Sequence, residues 1–294
     1  MMAMVHQPTE IVLDIRDFSF CLGGKEILHQ VSFSVARGEF LSIVGPNGAG
    51  KTTLVKCIDR LLVGGSGRIE VFGRPLESYR QRDLARRISY VPQADGRVIP
   101  FTVRQFVLMG RYPYLNPFSS IDREGRRAVD DALRMTGTAE FAERRLDTLS
   151  GGERQKVYIA AALAQGADII LLDEPTTFLD YRRQAEIRDL LTRINHEGGT
   201  TIVCVTHDLN RAALDSDRIV ALCGGRVAFI GTPAEIMNPE ALERLFQTPF
   251  LLTPHPQVPI SVIVPGPPPR PPRGQDDPLA LDFRTAAQET PLKP

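Results

Sequence analysis

Three features that the sequence lacks narrow its possible functions. Lys plus Arg and Asp plus Glu each number 35, so the chain has no excess charge for binding a polyanion such as nucleic acid. No run of about 18 apolar residues occurs, and we therefore expect no transmembrane helix. The N-terminus has no basic segment followed by an apolar one, so we expect no signal peptide. A role at a membrane would then require a partner that holds the chain there.

Cysteine is also scarce, and its positions exclude the usual metal-binding patterns. The four cysteines are Cys21, Cys57, Cys204 and Cys223, and they form no C-x-x-C pair and no metal-ligand spacing. Cys57 and Cys204 lie in apolar periodic runs, which favours buried thiols. This usage is typical of a protein in a reducing compartment.

The stretch IVGPNGAGKTTLV, residues 43–55, carries the clearest chemical signal. It contains G-x-x-x-x-G-K-[ST], the phosphate-binding loop, between a strand-like apolar run and a helical run. Glycines let successive backbone N–H groups point at phosphate oxygens, and the helix N-terminus adds partial positive charge. Lys51 can reach the β- and γ-phosphates, and the Thr52 hydroxyl can hold Mg²⁺. The predicted nucleotide-binding residues of this loop are Gly45, Pro46, Asn47, Gly48, Ala49, Gly50, Lys51, Thr52 and Thr53.

Two carboxylates follow an apolar run later in the chain. Residues 169–172, IILL, predict a strand that is buried on both faces, and Asp173 and Glu174 come directly after it. The strand would deliver Asp173 to the sheet edge beside the phosphate loop, where it can hold Mg²⁺. Glu174 can polarise a water for in-line attack on the γ-phosphate. Together with the phosphate loop, these residues predict hydrolysis of a nucleoside triphosphate.

The order of the predicted elements indicates an α/β domain over residues 11–264 with a helical insert. Strand and helix patterns alternate except between about residues 94 and 165, where only helices are predicted. The helices of this insert are predicted at residues 103–109, 123–135 and 151–165. A last strand at residues 260–264 is expected to close the fold.

The two ends of the chain differ from the domain between them. Residues 1–10 are predicted to be a flexible N-terminus. Residues 265–294 are rich in proline and poor in apolar anchors, so they predict a disordered or polyproline tail. A ligand for a proline-binding domain is the alternative interpretation of this tail.

The motif LSGGE, residues 149–153, opens the last helix of the insert. Taken alone, it is a serine N-cap followed by glycines. Its place after the phosphate loop and just before the apolar strand resembles the signature of ATP-binding-cassette (ABC) ATPases. The other motifs follow in the order of that family: Gln93 resembles its glutamine loop, residues 177–180 its aspartate loop and His207 its switch histidine.

The resemblance covers residues 11 to about 264 and implies a fold and a chemistry. The implied fold is a P-loop NTPase ABC cassette with a RecA-like core, an antiparallel β subdomain and a helical subdomain insert. ATP and Mg²⁺ are the implied ligands, with Thr52, Gln93 and Asp173 at the metal. The implied catalytic residues are Glu174, His207, Gln93 and Lys51. Without the resemblance, His207 would be a neutral histidine at a strand end and Gln93 an ordinary loop residue.

In this family, the active sites form only between two cassettes. The resemblance therefore implies a second copy of this chain, or a similar cassette, as partner. The residues implied to meet the nucleotide of that partner are Ser150, Gly151, Gly152 and Asp180. Ser150 and the helix behind it offer donors to a γ-phosphate, although they lie far along the chain from the phosphate loop.

Two positions depart from the pattern of the family. An aromatic residue often stacks on adenine before the first turn, and Leu22 stands at that position here. Adenine stacking is therefore expected to be weaker and base discrimination looser. The last residue of the signature is Glu153 where the family has glutamine, which is expected to be tolerated because Ser150 and Gly151 would carry the phosphate contacts.

Several segments resemble the importer ATPases that serve iron–siderophore, haem and cobalamin permeases. They are residues 107–115, 173–184 and 206–233. This implies an ATP-hydrolysing subunit at the cytoplasmic face of the cell membrane. It would be held by permease subunits, served indirectly by a substrate-binding protein, and would have no nucleic-acid partner. The alternatives are an importer ATPase for another cargo such as molybdate, or a soluble ABC ATPase not tied to transport.

The loop GRYPYLNPFSS in the insert is rich in aromatic residues. Such a loop is either a packed surface loop or a docking patch for a partner. The candidate docking residues for the permease are Met109, Tyr112, Tyr114 and Phe118. The alternative is that these side chains only pack the insert.

Overall fold

The computed structural model describes residues 10–93, 99–115 and 121–264. Three predicted features lie outside the described residues: the N-terminal segment up to residue 9, Phe118, and the Pro-rich tail 265–294. The described residues form one compact unit.

Six strands form the central sheet. They are β3 (Phe40–Val44), β6 (Ile88–Val91), β7 (Ile169–Asp173), β8 (Thr201–Val205), β9 (Arg218–Cys223) and β10 (Arg226–Gly231). Their order is β10-β9-β3-β8-β7-β6, and all neighbours are parallel except β10 against β9. Every residue of β3, β7 and β8 is buried, as continuous apolar runs predict for strands covered on both faces.

A second sheet is antiparallel throughout and belongs to the N-terminal part of the chain. Its strands are β1 (Ile11–Leu22), β2 (Lys25–Ala36), β4 (Ser66–Val71) and β5 (Arg74–Pro75), in the order β2-β1-β4-β5. The hairpin between β1 and β2 turns through Gly23 and Gly24, both at positive φ, as a tight two-residue turn requires. The backbone N–H of His29 donates to the Gly225 carbonyl at 2.8 Å, which ties this sheet to the β9–β10 turn.

Nine helices lie in the described part of the chain. They are α1 (Lys51–Ile58), α2 (Gln81–Leu84), α3 (Val103–Met109), α4 (Arg123–Met135), α5 (Gly151–Gln165), α6 (Tyr181–His196), α7 (Leu209–Asp215), α8 (Pro233–Ile236) and α9 (Pro239–Phe246). None of them is both long and apolar enough to cross a membrane.

The helices predicted for the insert, α3, α4 and α5, are confirmed with the predicted bounds. Each begins after a side-chain cap: Thr102 accepts from Gln105 N–H, Asp122 from Gly125 N–H, and Ser150 from Glu153 N–H. These caps satisfy N–H groups that have no partner within the helix, so the helix starts are encoded locally.

The end of the domain differs from the prediction. Among the described residues, the last strand, β12 (Ser261–Val264), pairs only with β11 (Leu251–Pro254), which the sequence did not predict. This hairpin therefore forms its own two-stranded sheet and does not close the central one. Asn210 on α7 holds it: its amide donates to the Ile263 carbonyl at 2.9 Å and accepts from the Ile263 N–H at 2.7 Å.

An ion pair links the last helix of the insert to the helix after the aspartate loop. Lys156 on α5 donates to Glu186 on α6 at 2.6 Å, and Arg183 adds a second contact at 3.2 Å. The hydrogen bond from Lys156 lowers the pKa of Glu186 to about 2. A carboxyl whose pKa falls on folding stabilises the folded state above its unfolded pKa, and this contribution is lost as the pH falls through its folded pKa.

We therefore expect Glu186→Gln to lower the free energy of unfolding by about 1 kcal/mol at pH 7. The difference from wild type should shrink as the pH falls from 4.5 towards about 2, because the wild-type carboxylate is then protonated. Urea unfolding of wild type and variant at pH 7, 4.5 and 3.5 measures this difference in the free energy of unfolding. Glu197→Gln is the control, since its pair with Arg193 is exposed and 4.0 Å long. A difference that does not change with pH would contradict the assignment to this ion pair.

Candidate active site

The phosphate loop connects the end of β3 to the start of α1, and two of its glycines have no room for a side chain. Gly45 has φ +144°, and a Cβ there would lie 2.1 Å from the Leu222 carbonyl oxygen on β9. Gly50 has φ +96°, and a Cβ there would lie 2.7 Å from Leu28 on β2. The loop therefore passes closely between two strands, and its backbone path depends on glycine at both positions.

Lys51 is the first residue of α1, and its side chain folds back over the loop. The ammonium donates to the Gly45 carbonyl at 2.8 Å and to the Pro46 carbonyl at 3.1 Å. Burial lowers the pKa of Lys51, although the charges of Glu174 and Asp173 oppose this shift. An ammonium group has three donors, so one stays available for a phosphate oxygen.

Asp173 and Thr52 meet at the C-terminal end of β7. The Thr52 hydroxyl donates to Asp173 Oδ1 at 2.9 Å, and the Tyr90 hydroxyl on β6 donates to Oδ2 at 3.1 Å. Burial raises the pKa of Asp173 above its ordinary value, and the two hydrogen bonds oppose this shift only in part. A hydroxyl and a carboxylate side by side are the oxygen donors with which proteins hold Mg²⁺ beside phosphates. The donor set therefore fits this metal.

Glu174 and His207 are in direct contact. His207 Nδ1 lies 2.6 Å from Glu174 Oε2, and the Thr177 hydroxyl donates to the same oxygen at 2.9 Å. Glu174 has φ +52°, a conformation that is strained for a residue with a side chain, and its N–H donates to the Val205 carbonyl at 3.0 Å. Strain of this kind is held in place by the surrounding structure and is often found at functional sites.

Lys51, Thr52, Glu174 and His207 line one cleft of about 650 Å³. Gln93 and the predicted loop residues Asn47, Gly48, Ala49, Gly50 and Thr53 also line it, whereas the predicted residues Gly45, Pro46 and Asp173 do not. The cleft continues past Lys25 and Ile27, and no aromatic side chain is among the described residues that line it. Leu22 pairs with Lys25 across the β1–β2 hairpin and is 50% exposed, but it does not line the cleft.

The predicted signature residues and Asp180 of the aspartate loop lie elsewhere. Ser150, Gly151, Gly152 and Asp180 do not line the cleft of their own chain. Asp180 caps α6 by accepting from Arg183 N–H at 2.8 Å. The hydroxyl and N–H of Ser150 both donate to Glu153 Oε2, at 2.7 and 2.8 Å, and these bonds lower the pKa of Glu153. Glu153 thus occupies the donors that the sequence assigns to a phosphate.

The candidate docking residues differ in their surroundings. Tyr112 is 73% exposed and Met109 is 45% exposed. Tyr114 is 38% exposed, and its ring also stacks against two guanidinium groups, with Arg111 3.8 Å and Arg86 5.0 Å from its ring centroid. Tyr114 therefore combines packing with exposure, and Tyr112 is the most exposed of the three.

Two residues that hydrogen-bond to predicted site residues were not themselves predicted, nor were the cleft-lining residues Lys25 and Ile27. Tyr90 lies at the end of a parallel strand three residues before Gln93, and Thr177 lies three residues after Glu174. Their positions at strand ends and in the aspartate loop were the available signals. Their hydrogen bonds depend on side-chain directions that sequence spacing does not specify.

Comparison with known proteins agrees with this geometry. The ABC transporter family model matches residues 28–177. The iron(3+)-hydroxamate import ATP-binding protein FhuC of Bacillus subtilis (strain 168) is 41% identical over 225 residues, 76% of this chain and 84% of the relative. A metal-chelate type ABC transporter solved in an inward-facing conformation matches 88% of this chain and 98% of its own, with TM-score 0.76 and 27% identity. A bacterial ABC transporter cassette solved as a dimer matches 75% and 98%, with TM-score 0.66 and 30% identity.

These matches confirm the resemblance that the motifs carry. The match to FhuC extends it over 225 residues, 76% of this chain. The solved cassettes confirm the implied fold, a RecA-like core with an antiparallel β subdomain and a helical insert. The chain belongs to the ABC transporter family as one of its ATP-hydrolysing cassettes.

Proposed function

We propose that this chain is the ATP-hydrolysing subunit of an importer for a metal chelate of the iron–siderophore class. One observation carries the proposal: the cleft where Lys51, Thr52, Glu174 and His207 converge, in a chain 41% identical to an iron(3+)-hydroxamate import protein. Haem and cobalamin are the other cargoes of the same subgroup, and molybdate is a more distant alternative.

The triphosphate of ATP is held by the phosphate loop. Backbone N–H groups of residues 47–50 and the N-terminus of α1 surround its oxygens, and the third donor of Lys51 reaches the β- and γ-phosphates. Thr52, Asp173 and Gln93 would hold Mg²⁺, which neutralises charge that develops on the phosphates. Ile27 lines the cleft, and apolar contact with it replaces aromatic stacking at the base.

Glu174 acts as the general base, and His207 lies beside it. The carboxylate takes a proton from a water that attacks the γ-phosphate in line. His207 is close enough to Glu174 to orient the same water or the γ-phosphate. Because β7 and β8 are parallel neighbours in register, Glu174 and His207 emerge at the same sheet edge.

The site is completed by a second copy of the chain. Ser150, Gly151, Gly152 and Asp180 lie outside the cleft of their own chain, so they are available to cover the nucleotide of a partner. The capped N-terminus of α5 presents N–H groups and partial positive charge for a γ-phosphate. A related cassette has been solved as a dimer, which supports this arrangement.

Permease subunits hold the chain at the cytoplasmic face of the membrane. Tyr112 and Met109 on the insert present apolar surface for a permease helix. A groove of about 290 Å³ lies nearby, between Gln93 and the insert residues Phe106 and Tyr158. A permease helix bound in this groove would contact Gln93, so a movement of Gln93 on nucleotide binding would be passed to the permease. A substrate-binding protein would deliver the chelate to the permease.

Uptake by the whole transporter tests the proposed function. We expect vesicles that contain the chain, its permease and its binding protein to import a ferric hydroxamate with ATP, and not to import it when Glu174→Gln replaces wild type. Uptake of molybdate or cobalamin instead would reassign the cargo. If no permease accompanies the chain in the membrane fraction, a soluble ABC ATPase not tied to transport is favoured instead.

In the same uptake assay, Tyr112→Ala with Met109→Ala should lower import several-fold while ATP hydrolysis by the isolated chain is unchanged. The two exposed side chains would be lost from the permease contact, which lies away from the nucleotide. Tyr114→Phe is the control, since its ring contacts with Arg111 and Arg86 would remain. Normal import by the double variant would remove the docking role.

Glu174→Gln should trap an ATP-bound dimer, because an amide cannot accept the proton of the attacking water. We expect hydrolysis to fall at least a hundredfold, from the usual size of general-base effects. Size-exclusion chromatography with ATP and Mg²⁺ would show the dimer. Unchanged turnover in this variant would show that Glu174 is not the base.

Glu153→Gln, made in the Glu174→Gln background, should allow pairing at lower ATP concentration. The Glu153 carboxylate holds both Ser150 donors and would repel a γ-phosphate, whereas the amide is neutral. We expect the ATP concentration for half-maximal pairing to fall roughly fivefold, the effect of about 1 kcal/mol.

Glu235→Gln is the matched control for this variant. Thr232 donates to Glu235 through its N–H and its hydroxyl at 2.7 and 2.9 Å, the same arrangement at the start of α8. Its substitution should leave pairing unchanged. If Glu153→Gln instead raises the ATP concentration for half-maximal pairing, the carboxylate assists pairing and this prediction is wrong.

A further inference from the structure

We propose that Thr177 is a positioning residue for ATP hydrolysis: its hydroxyl orients the carboxylate of Glu174. This inference rests on the proposed role of Glu174 as general base. Thr177 Oγ1 donates to Glu174 Oε2 at 2.9 Å, and both residues line the nucleotide cleft together with His207.

The backbone around Glu174 brings the hydroxyl to this point. Glu174 stands at φ +52° directly after β7, and its N–H is held by the Val205 carbonyl at 3.0 Å. The chain then turns, and the Thr177 N–H donates to the Glu174 carbonyl at 3.2 Å. This turn places the side chain of residue 177 over the side chain of residue 174. The hydrogen bond therefore depends on the strained start of the loop.

The two hydrogen bonds to Glu174 use the same oxygen. Oε2 accepts from Thr177 and lies 2.6 Å from His207 Nδ1. A carboxylate has about four acceptor sites on its two oxygens. With Oε2 held from two sides, rotation of the carboxylate is restricted and Oε1 is the oxygen left for a water. A base held in one orientation reacts faster because less ordering is needed in the transition state.

Thr177 and His207 differ in how firmly they are placed. The side chain of His207 is 61% exposed, so its ring is free to turn towards a nucleotide. Thr177 is half-buried, and its backbone is fixed by the turn. If His207 leaves Oε2 to contact the γ-phosphate, the Thr177 hydroxyl is the bond that keeps Glu174 in place.

Threonine is β-branched, so a valine at position 177 keeps its shape and removes only the hydroxyl. We expect Thr177→Val in the full chain, with Mg²⁺ and ATP, to lower kcat about tenfold, as loss of a hydrogen bond to a charged group does. KM should stay within about twofold, because the bond is to the base and not to the nucleotide. Thr177→Ser restores the hydroxyl and should recover most of kcat.

Thr176→Val is the matched control. Thr176 is the neighbouring half-buried threonine, and it lines a different cavity with Gln184 and Cys204. The Thr176→Val variant should hydrolyse ATP at the wild-type rate. Wild-type kcat in Thr177→Val, an equal loss in Thr177→Ser, or a rise in KM alone would each overturn the inference. If wild type itself fails to hydrolyse ATP, the proposed function fails first, and these outcomes are therefore distinguishable.

Discussion

The register of three parallel strands is the constraint on which the active site depends. Ile43 on β3 is level with Val205 on β8, and Val205 is level with Asp173 on β7. The phosphate loop follows β3, His207 follows β8 and Glu174 follows β7. All three therefore emerge at one edge of the sheet. A shift of one residue would turn the Asp173 side chain to the other face of the sheet. The buried apolar faces of these strands oppose such a shift.

Hydrogen bonds then join the three segments across that edge. Thr52 reaches from α1 to Asp173, and His207 reaches from beyond β8 to Glu174. Each bond connects a loop to its neighbour, so a movement of one loop on binding a phosphate is felt by the others. Thr52, Asp173 and Glu174 are buried or half-buried, where such bonds are stronger than in water, whereas the ring of His207 is exposed. The site is thus a connected network rather than a set of separate side chains.

The surface that would meet a second copy is organised separately. The N-terminus of α5 carries Ser150, and a Cβ at Gly152 would lie 2.9 Å from the Arg183 side chain on α6. Lys156 and Glu186 join the same two helices one turn further on. The insert is therefore attached to the core through the helix that Asp180 caps. Signature and aspartate loop are expected to move together when the insert moves.

The sequence by itself determined the motifs and the local elements. The helices α3, α4 and α5 could be predicted exactly because caps and apolar periodicity act over a few residues. The phosphate loop and the Asp173–Glu174 pair could also be predicted, because each is a short motif of neighbouring residues. Only the tertiary structure decided the contact of Tyr90 with Asp173, the contact of His207 with Glu174, and the separate β11–β12 hairpin. These depend on rotamers and on which strand edge another strand meets, and both are set by packing between distant parts of the chain.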